Sequence, residues 1–222
     1  MKLFAVRHGE TEWNLDGREI GHLDSPLTAR GLLQAGALAR RLSNLRVDAV
    51  YSSDLGRALR TAEIIAAACG VALHVDQGLR ERNMGIFQGL TLKEMRDRYP
   101  QERAAYEQIG FEYVIPEGES ARQRLERSVR VLTEIAEQHA AERIVAVTHG
   151  GFLMGFFEYV LGMNPANGWR FQRHHASFNA FEYVDRRWSL ETWNDVGHLG
   201  SFDDPMLAQM QVESGRGPTV AG

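Results

Sequence analysis

Arg7, His8 and Gly9 follow directly on the apolar run Leu3-Phe4-Ala5-Val6, and His149 follows Val145-Ala146-Val147-Thr148 in the same manner. Each imidazole therefore stands at the end of a segment that reads as a buried strand, which is where α/β proteins carry their chemistry. Two strand-end histidines ask for a shared ligand, and Arg7 beside His8 would repel a cation. Neighbours on an extended chain point to opposite sides, so Arg7 and His8 reach one ligand only if the chain turns sharply, and Gly9 permits that turn. A further cation, Arg57, falls in the first turn expected after Tyr51-Ser52-Ser53 and can reach back over a strand end.

The elements that must hold these residues alternate. Ser25-Pro26-Leu27-Thr28 ends in an N-cap, and residues 29–45 place Leu32, Leu38, Leu42 and Leu45 at near-helical spacing. Residues 47–51 read as a short buried strand, and Ser52-Ser53-Asp54 as the cap of a helix that runs to about Cys69 and stops at Gly70. Across residues 119–141, Leu125, Val129, Leu132 and Ala136 recur at fours and threes and mark one amphipathic face, followed by a strand over 143–148 and a helix from Gly150. Two β-rich runs, 178–184 and 188–193, flank Asp185-Arg186-Arg187 and predict a hairpin. The expectation is an α/β fold: a single domain over 1–199, with a mixed, mostly parallel sheet and helices on both faces. Residues 91–116 interrupt the alternation with short helical pieces and aromatics, and predict an inserted cap over the site. Residues 200–222 predict a partly mobile tail.

Four segments carry a resemblance: Arg7-His8-Gly9-Glu10-Thr11, the run from Ser53 to Ala62 containing Arg57, Leu79-Arg80-Glu81-Arg82, and Thr148-His149-Gly150-Gly151. In this order they resemble the signatures of the histidine phosphatase superfamily, which contains cofactor-dependent phosphoglycerate mutases and many broad phosphatases. Gly118-Glu119-Ser120 matches a weaker element of the same family. The resemblance implies covalent phosphoryl transfer, which needs cations and N–H donors around the phosphate, an in-line nucleophile and a proton donor at the leaving oxygen. His8 would be the nucleophile and form a phosphohistidine. Glu81 would protonate the leaving group and then activate water. Arg7, Arg57, His149 and the backbone of Gly150 would grip the phosphate, with Thr11, Asn14 and Gly21 as further ligands; Thr11 and Asn14 could equally cap the turn after the strand. Family members often carry Gln before the glycine matching Gly21, where this chain has Ile20, and His175 stands where they commonly show Asn.

The implied activity is metal-independent hydrolysis of a small phosphorylated metabolite, releasing inorganic phosphate with no cofactor required. The alternative is a cofactor-dependent phosphoglycerate mutase primed by bisphosphoglycerate, using the same residues. Against it, the segment from Asn83 to Leu90 resembles the phosphatase branch, and residues 91–116 are short for the mutase insertion. A noncatalytic phospho-ligand module ranks third, because nucleophile and base are both present. Specificity is expected from Arg80 and from Tyr106, Phe111 and Tyr113, which would line an apolar wall favouring bulky or weakly charged leaving groups. Arg80 and Arg82 could equally be a solvated charge run.

A net charge of −4 argues against nucleic acid or an anionic membrane surface as partner. The single cysteine, Cys69, excludes an internal disulfide, and with no cysteine pair and no His-Glu-x-x-His no metal site is legible. The adjacent His174 and His175 are the best remaining metal candidates and read as a surface or helix-end pair. The first strand begins at once, and no apolar run is long enough to cross a bilayer, so a cytoplasmic protein is expected. Homodimers are common among similar proteins.

Overall fold

Burial on both faces of the central strands sets the architecture. In the computed structural model, which describes residues 1–164 and 171–200, β1 (Lys2–Arg7) and β4 (Arg143–Thr148) lie side by side and parallel. Leu3, Ala5, Ile144 and Ala146 face one way and pack with Val131, Leu132, Ile135, Phe152 and Phe156. Phe4, Val6, Val145 and Val147 face the other way, onto Leu38, Leu42, Ala58, Ala62 and Ile65. Strands covered on both sides read as unbroken apolar runs, which is why these two were legible.

The sheet has six strands in the order β3-β2-β4-β1-β5-β6, where β2 is Ala49–Ser52, β3 Leu73–Val75, β5 Phe178–Val184 and β6 Arg187–Asp195. β1, β2, β3 and β4 pair in parallel, and the β5–β6 hairpin joins antiparallel along β1. After the short α1 (Glu12–Leu15), helices α2 (Ala29–Ser43) and α3 (Gly56–Cys69) cover one face; α6 (Ala121–Gln138) and α7 (Gly150–Val160) cover the other. The mixed α/β sheet expected from the sequence is the one observed. Among the described residues no helix is long and apolar enough to cross a membrane. The expected tail, residues 201–222, lies outside the described residues.

Four local readings need correction. Strand β3 was not anticipated, because three residues with two exposed carry no periodicity. Helix α3 starts at Gly56 with Leu55 as an N-cap that makes no side-chain bond; Asp54, expected in the cap, is ion-paired with Arg80 instead. Helix α6 starts later, at Ala121, behind a Ser120–Gln123 capping box, and its buried face is Arg124, Ser128, Val131, Leu132, Ile135 and Ala136. That face is rotated from the predicted one, since Leu125 and Val129 are only partly buried. Finally, Gly9 has no positive φ. A Cβ there would sit 2.4 Å from the Gly31 carbonyl oxygen, and one at Gly31 would sit 2.1 Å from that of Glu10, so these glycines let α2 close onto the loop after β1.

Residues 91–116 form α4 (Leu92–Arg98), α5 (Pro100–Ile109) and a 3₁₀ turn. They enclose a separate small core of Met84, Phe87, Leu90, Met95 and Ile115.

Candidate active site

Because β1 and β4 are parallel neighbours paired Arg7 to Thr148, the residues that follow them emerge together. The rings of His8 and His149 lie 5.1 Å apart, and that of His175 lies 5.8 Å from His8. A cavity of about 550 Å³ opens over these strand ends, lined by Arg7, His8, Asn14, Arg57, Glu81 and Gly150 among others. The sheet edge thus brings together most of the residues singled out from the sequence.

His8 is 3% exposed, and its Nδ1 lies 2.7 Å from the Gly9 carbonyl oxygen. A carbonyl only accepts, so Nδ1 carries the proton and Nε2 keeps its lone pair. Burial, reinforced by Arg57 and Arg7, pushes the His8 pKa well below the usual histidine value, so the ring is neutral at neutral pH. His149 is fully buried and depressed for the same reasons, and neither of its ring nitrogens has a hydrogen-bond partner. Arg7 donates through Nη1 to the Arg173 carbonyl, while its Nε is buried without a partner. Burial lowers its pKa from 12.5 to about 10, still cationic at neutral pH, with Glu81 opposing the shift.

Arg57, in the first turn of α3 and 2% exposed, is held by the loop after β1. Its Nη1 donates to Leu23 O at 2.8 Å and its Nη2 to Gly21 O at 2.8 Å, leaving a buried Nε unpartnered. Gly21 does not line the cavity, contrary to its expected role as an N–H donor; its positive φ of 58° belongs to a turn whose carbonyl anchors Arg57. Thr11 is likewise off the cavity wall and forms a capping box with Asn14. Asn14 does line the cavity, but its Oδ1 accepts from Thr11 N and Oγ1.

Glu81 occupies the place expected for the phosphate at the start of α7. Its carboxylate accepts from Gly151 N at 2.7 Å, Phe152 N at 3.0 Å and Arg82 N at 2.8 Å. The N–H groups at the start of α7 are taken up as anticipated, but the acceptor they hold is the Glu81 carboxyl group. The loop is clamped from below: Arg127 donates to Gly78 O, Arg80 O and Glu81 O and is ion-paired with Glu119 at 2.7 Å. Thr148 Oγ1 adds a bond of 2.6 Å to Leu79 O, which ties the end of β4 to the same loop. Glu119 and Ser120, the weak sequence element, thus act as supports for Glu81 and for α6.

Of the expected specificity residues, only Tyr106 lines the cavity. Tyr113 packs against the small core, Phe111 lies under the Arg122 guanidinium, and Arg80 pairs with Asp54. Tyr99, Tyr106 and Tyr113 pack on the small core because the cap segment needs a core of its own, while Phe111 does not. The cavity wall instead contains Arg18, Arg82, Arg124 and Arg173, the last three with no ion-pair partner within 4.0 Å among the described residues. Arg18, Arg124 and Arg173 were missed in the sequence reading. For Arg124 no sequence signal was available, because the buried face of α6 is rotated from the one its apolar spacing predicts.

Buried neutral histidines have a consequence for stability. Burial, with Arg7 next, lowers His175 from 6.5 to about 3, and His8 and His149 are depressed too. In the unfolded chain these rings take up protons near pH 6.5, so the unfolded state binds more protons below that value. Stability should be complete above about pH 6.5 and decline toward about pH 3. Melting temperature against pH is expected to show this slope, and His175→Asn to flatten it; an unchanged slope in that variant would remove His175 from the account.

Comparison with known proteins agrees with the geometry. The chain is 39% identical over 203 residues, covering 90% of it and 84% of the relative, to a metal-independent phosphoserine phosphatase of Arabidopsis thaliana. It is 35% identical, over 95% of the chain and 99% of the relative, to a probable phosphoglycerate mutase GpmB of Escherichia fergusonii. A mutant phosphoserine phosphatase of Entamoeba histolytica, solved in complex with phosphoserine, superposes with a TM-score of 0.78 at 29% identity, covering 89% of this chain and 98% of that one. The family model of the histidine phosphatase superfamily (branch 1) matches residues 3–196, and with the paired strand-end histidines this chain belongs to that superfamily.

Proposed function

We propose that the protein hydrolyses phosphomonoesters of small metabolites through a phosphohistidine on His8. The observation that carries this reading is the set of buried, unpartnered nitrogens around His8, namely both ring nitrogens of His149 and the Nε atoms of Arg7 and Arg57. Buried polar groups are costly without partners, and a phosphate dianion supplies acceptors for the two guanidinium N–H groups and for whichever His149 nitrogen carries the proton, the other ring nitrogen being itself an acceptor. Neutral His8 attacks phosphorus through Nε2, and Glu81, which must enter this step as the carboxylic acid, gives its proton to the departing ester oxygen. Water, deprotonated by Glu81, then breaks the phosphorus–nitrogen bond and releases phosphate. Asn14 and Gly150 contribute further donors at the cavity wall. Residues 91–116 act as a cap over the leaving-group side, through Tyr106.

No step needs a metal, since every group named is a side chain or a backbone N–H. Among the described residues, no three His, Cys, Asp or Glu are placed to hold one, and the Arabidopsis relative is named metal-independent. Phenyl phosphate hydrolysis is therefore expected to proceed unchanged in EDTA. Activity lost in chelator and restored by a divalent ion would overturn this reading. The relationship to a probable phosphoglycerate mutase keeps one rival in view. In a paired assay with and without bisphosphoglycerate, hydrolysis should be independent of it; interconversion of phosphoglycerates faster than phosphate release would favour the mutase. A cytoplasmic location, where small phosphorylated metabolites are held, is part of this proposal.

A further inference from the structure

On the reading above, Arg57 faces the phosphate and Glu81 the leaving oxygen, yet the two stand on different elements. Arg57 lies in the first turn of α3, and Glu81 in the loop that follows β3. The turn of residues 20–24, closed by Leu23 N on Ile20 O, touches both. Its Gly21 and Leu23 carbonyls accept from Arg57 Nη2 and Nη1, each at 2.8 Å, and Asp24 Oδ1 accepts from Arg57 N at 3.3 Å. Between those carbonyls the chain presents His22, whose Nε2 lies 2.8 Å from the Glu81 carbonyl oxygen. A carbonyl only accepts, so Nε2 carries the proton and the bond fixes the tautomer. Burial pushes the His22 pKa below the usual histidine value, with the Glu81 bond opposing the shift, so the ring is neutral at neutral pH.

A second contact holds the same turn against the same loop. His22 N donates to Gln88 Oε1, and a Cβ at Gly21 would meet that oxygen at 2.5 Å, so glycine there lets the Gln88 amide close over the turn. The Glu81 carbonyl has a further donor, Arg127 Nη2 at 3.0 Å, which ties it to Glu119 and α6. His22 ties it to the side that carries Arg57. We propose that His22 is a positioning residue that acts through Glu81, holding the proton donor in register with the guanidinium of Arg57. The inference rests on the hydrolase reading for the role of Glu81. A proton donor works only within about 2.6–3.2 Å of the oxygen it serves, and a displacement of about 1 Å can cost on the order of 10²-fold. Three N–H groups hold the carboxyl end of Glu81. The backbone end, which sets its distance from Arg57, depends on His22.

Steady-state hydrolysis of phenyl phosphate and propyl phosphate by the full chain tests this in three variants. His22→Phe fills the space without a donor, His22→Asn has an amide too short to reach, and His22→Gln keeps a donor at about the same reach. In His22→Phe and His22→Asn, kcat should fall about 10- to 10²-fold on both esters, with inhibition by inorganic phosphate unchanged within about twofold. The inhibition constant also shows that each variant is folded, and His22→Gln should recover most of the loss. In a Glu81→Gln background, His22→Phe should cost less than about threefold, because a residue that acts through Glu81 has nothing left to position. Full additivity of the two substitutions would overturn the proposal. Phosphate affinity falling together with kcat would also overturn it, assigning the turn to Arg57 alone, as would an unchanged rate in His22→Phe and His22→Asn. A native protein that releases no phosphate from any ester would sink the hydrolase reading instead. The ¹³C resonance of the Glu81 carbonyl would then decide the placement: a shift in His22→Phe that His22→Gln reverses supports it, and an unmoved resonance overturns it.

Discussion

His8→Ala is expected to slow phosphate release on the order of 10⁴-fold or more and to abolish capture of labelled phosphate on the protein, as loss of a covalent nucleophile does elsewhere. The cavity holds a second candidate, His149, whose ring is 5.1 Å away, but the two rings differ in how they are held. Nδ1 of His8 is bonded to Gly9 O, which fixes both the ring plane and the tautomer that presents a lone pair at Nε2. His149 has no bond at either nitrogen, so no protein group selects its tautomer. It suits a ligand-binding role, in which the incoming phosphate orients it. His149→Ala should therefore still label, with weakened inhibition by inorganic phosphate. Quenched-flow labelling on both variants separates the roles, and label retained in His8→Ala would transfer the nucleophile to His149.

Glu81→Gln is expected to lower turnover by about 10²- to 10⁴-fold, with the larger loss on alkyl esters, whose poor leaving groups need a proton most. Position and proton must be distinguished here. The carboxylate is held by three backbone N–H groups, and an amide NH₂ turned toward any of them would shift the side chain. Displacement alone slows aryl and alkyl esters alike, whereas loss of the proton penalises the alkyl ester selectively. A series of esters spanning leaving-group acidity reads the difference as slope. An unchanged slope would remove Glu81 from proton transfer, while an unchanged rate would remove it from the reaction altogether.

The sheet and the residues clustered at its strand ends could be read from the order of residue types along the chain. Strands buried on both faces must be continuously apolar, so β1 and β4 announce themselves, and residues at the ends of adjacent parallel strands necessarily emerge together. His8, Arg7, Arg57 and His149 were legible for that reason, and the four motifs carried Glu81 with them. Tertiary structure decided the rest. The three-residue β3 exists only because β2 offers it an edge. The N-terminus of α7 binds Glu81, a bond between residues 70 positions apart that no local pattern encodes. The aromatics of residues 91–116 were assigned to the cavity by composition, yet that segment stands off the main core and had to build its own from Phe87, Met95 and Ile115, with Tyr106 and Tyr113 packed against it. What it left facing the cavity was charge. Arg124 reached the wall through the rotation of α6, a change of helical phase by about one residue that turned an arginine from an expected solvent position to the buried face. Periodicity locates a helix well, but the phase of its buried stripe depends on which neighbours it packs against, and here that phase decides which side chain of α6 reaches the cavity wall.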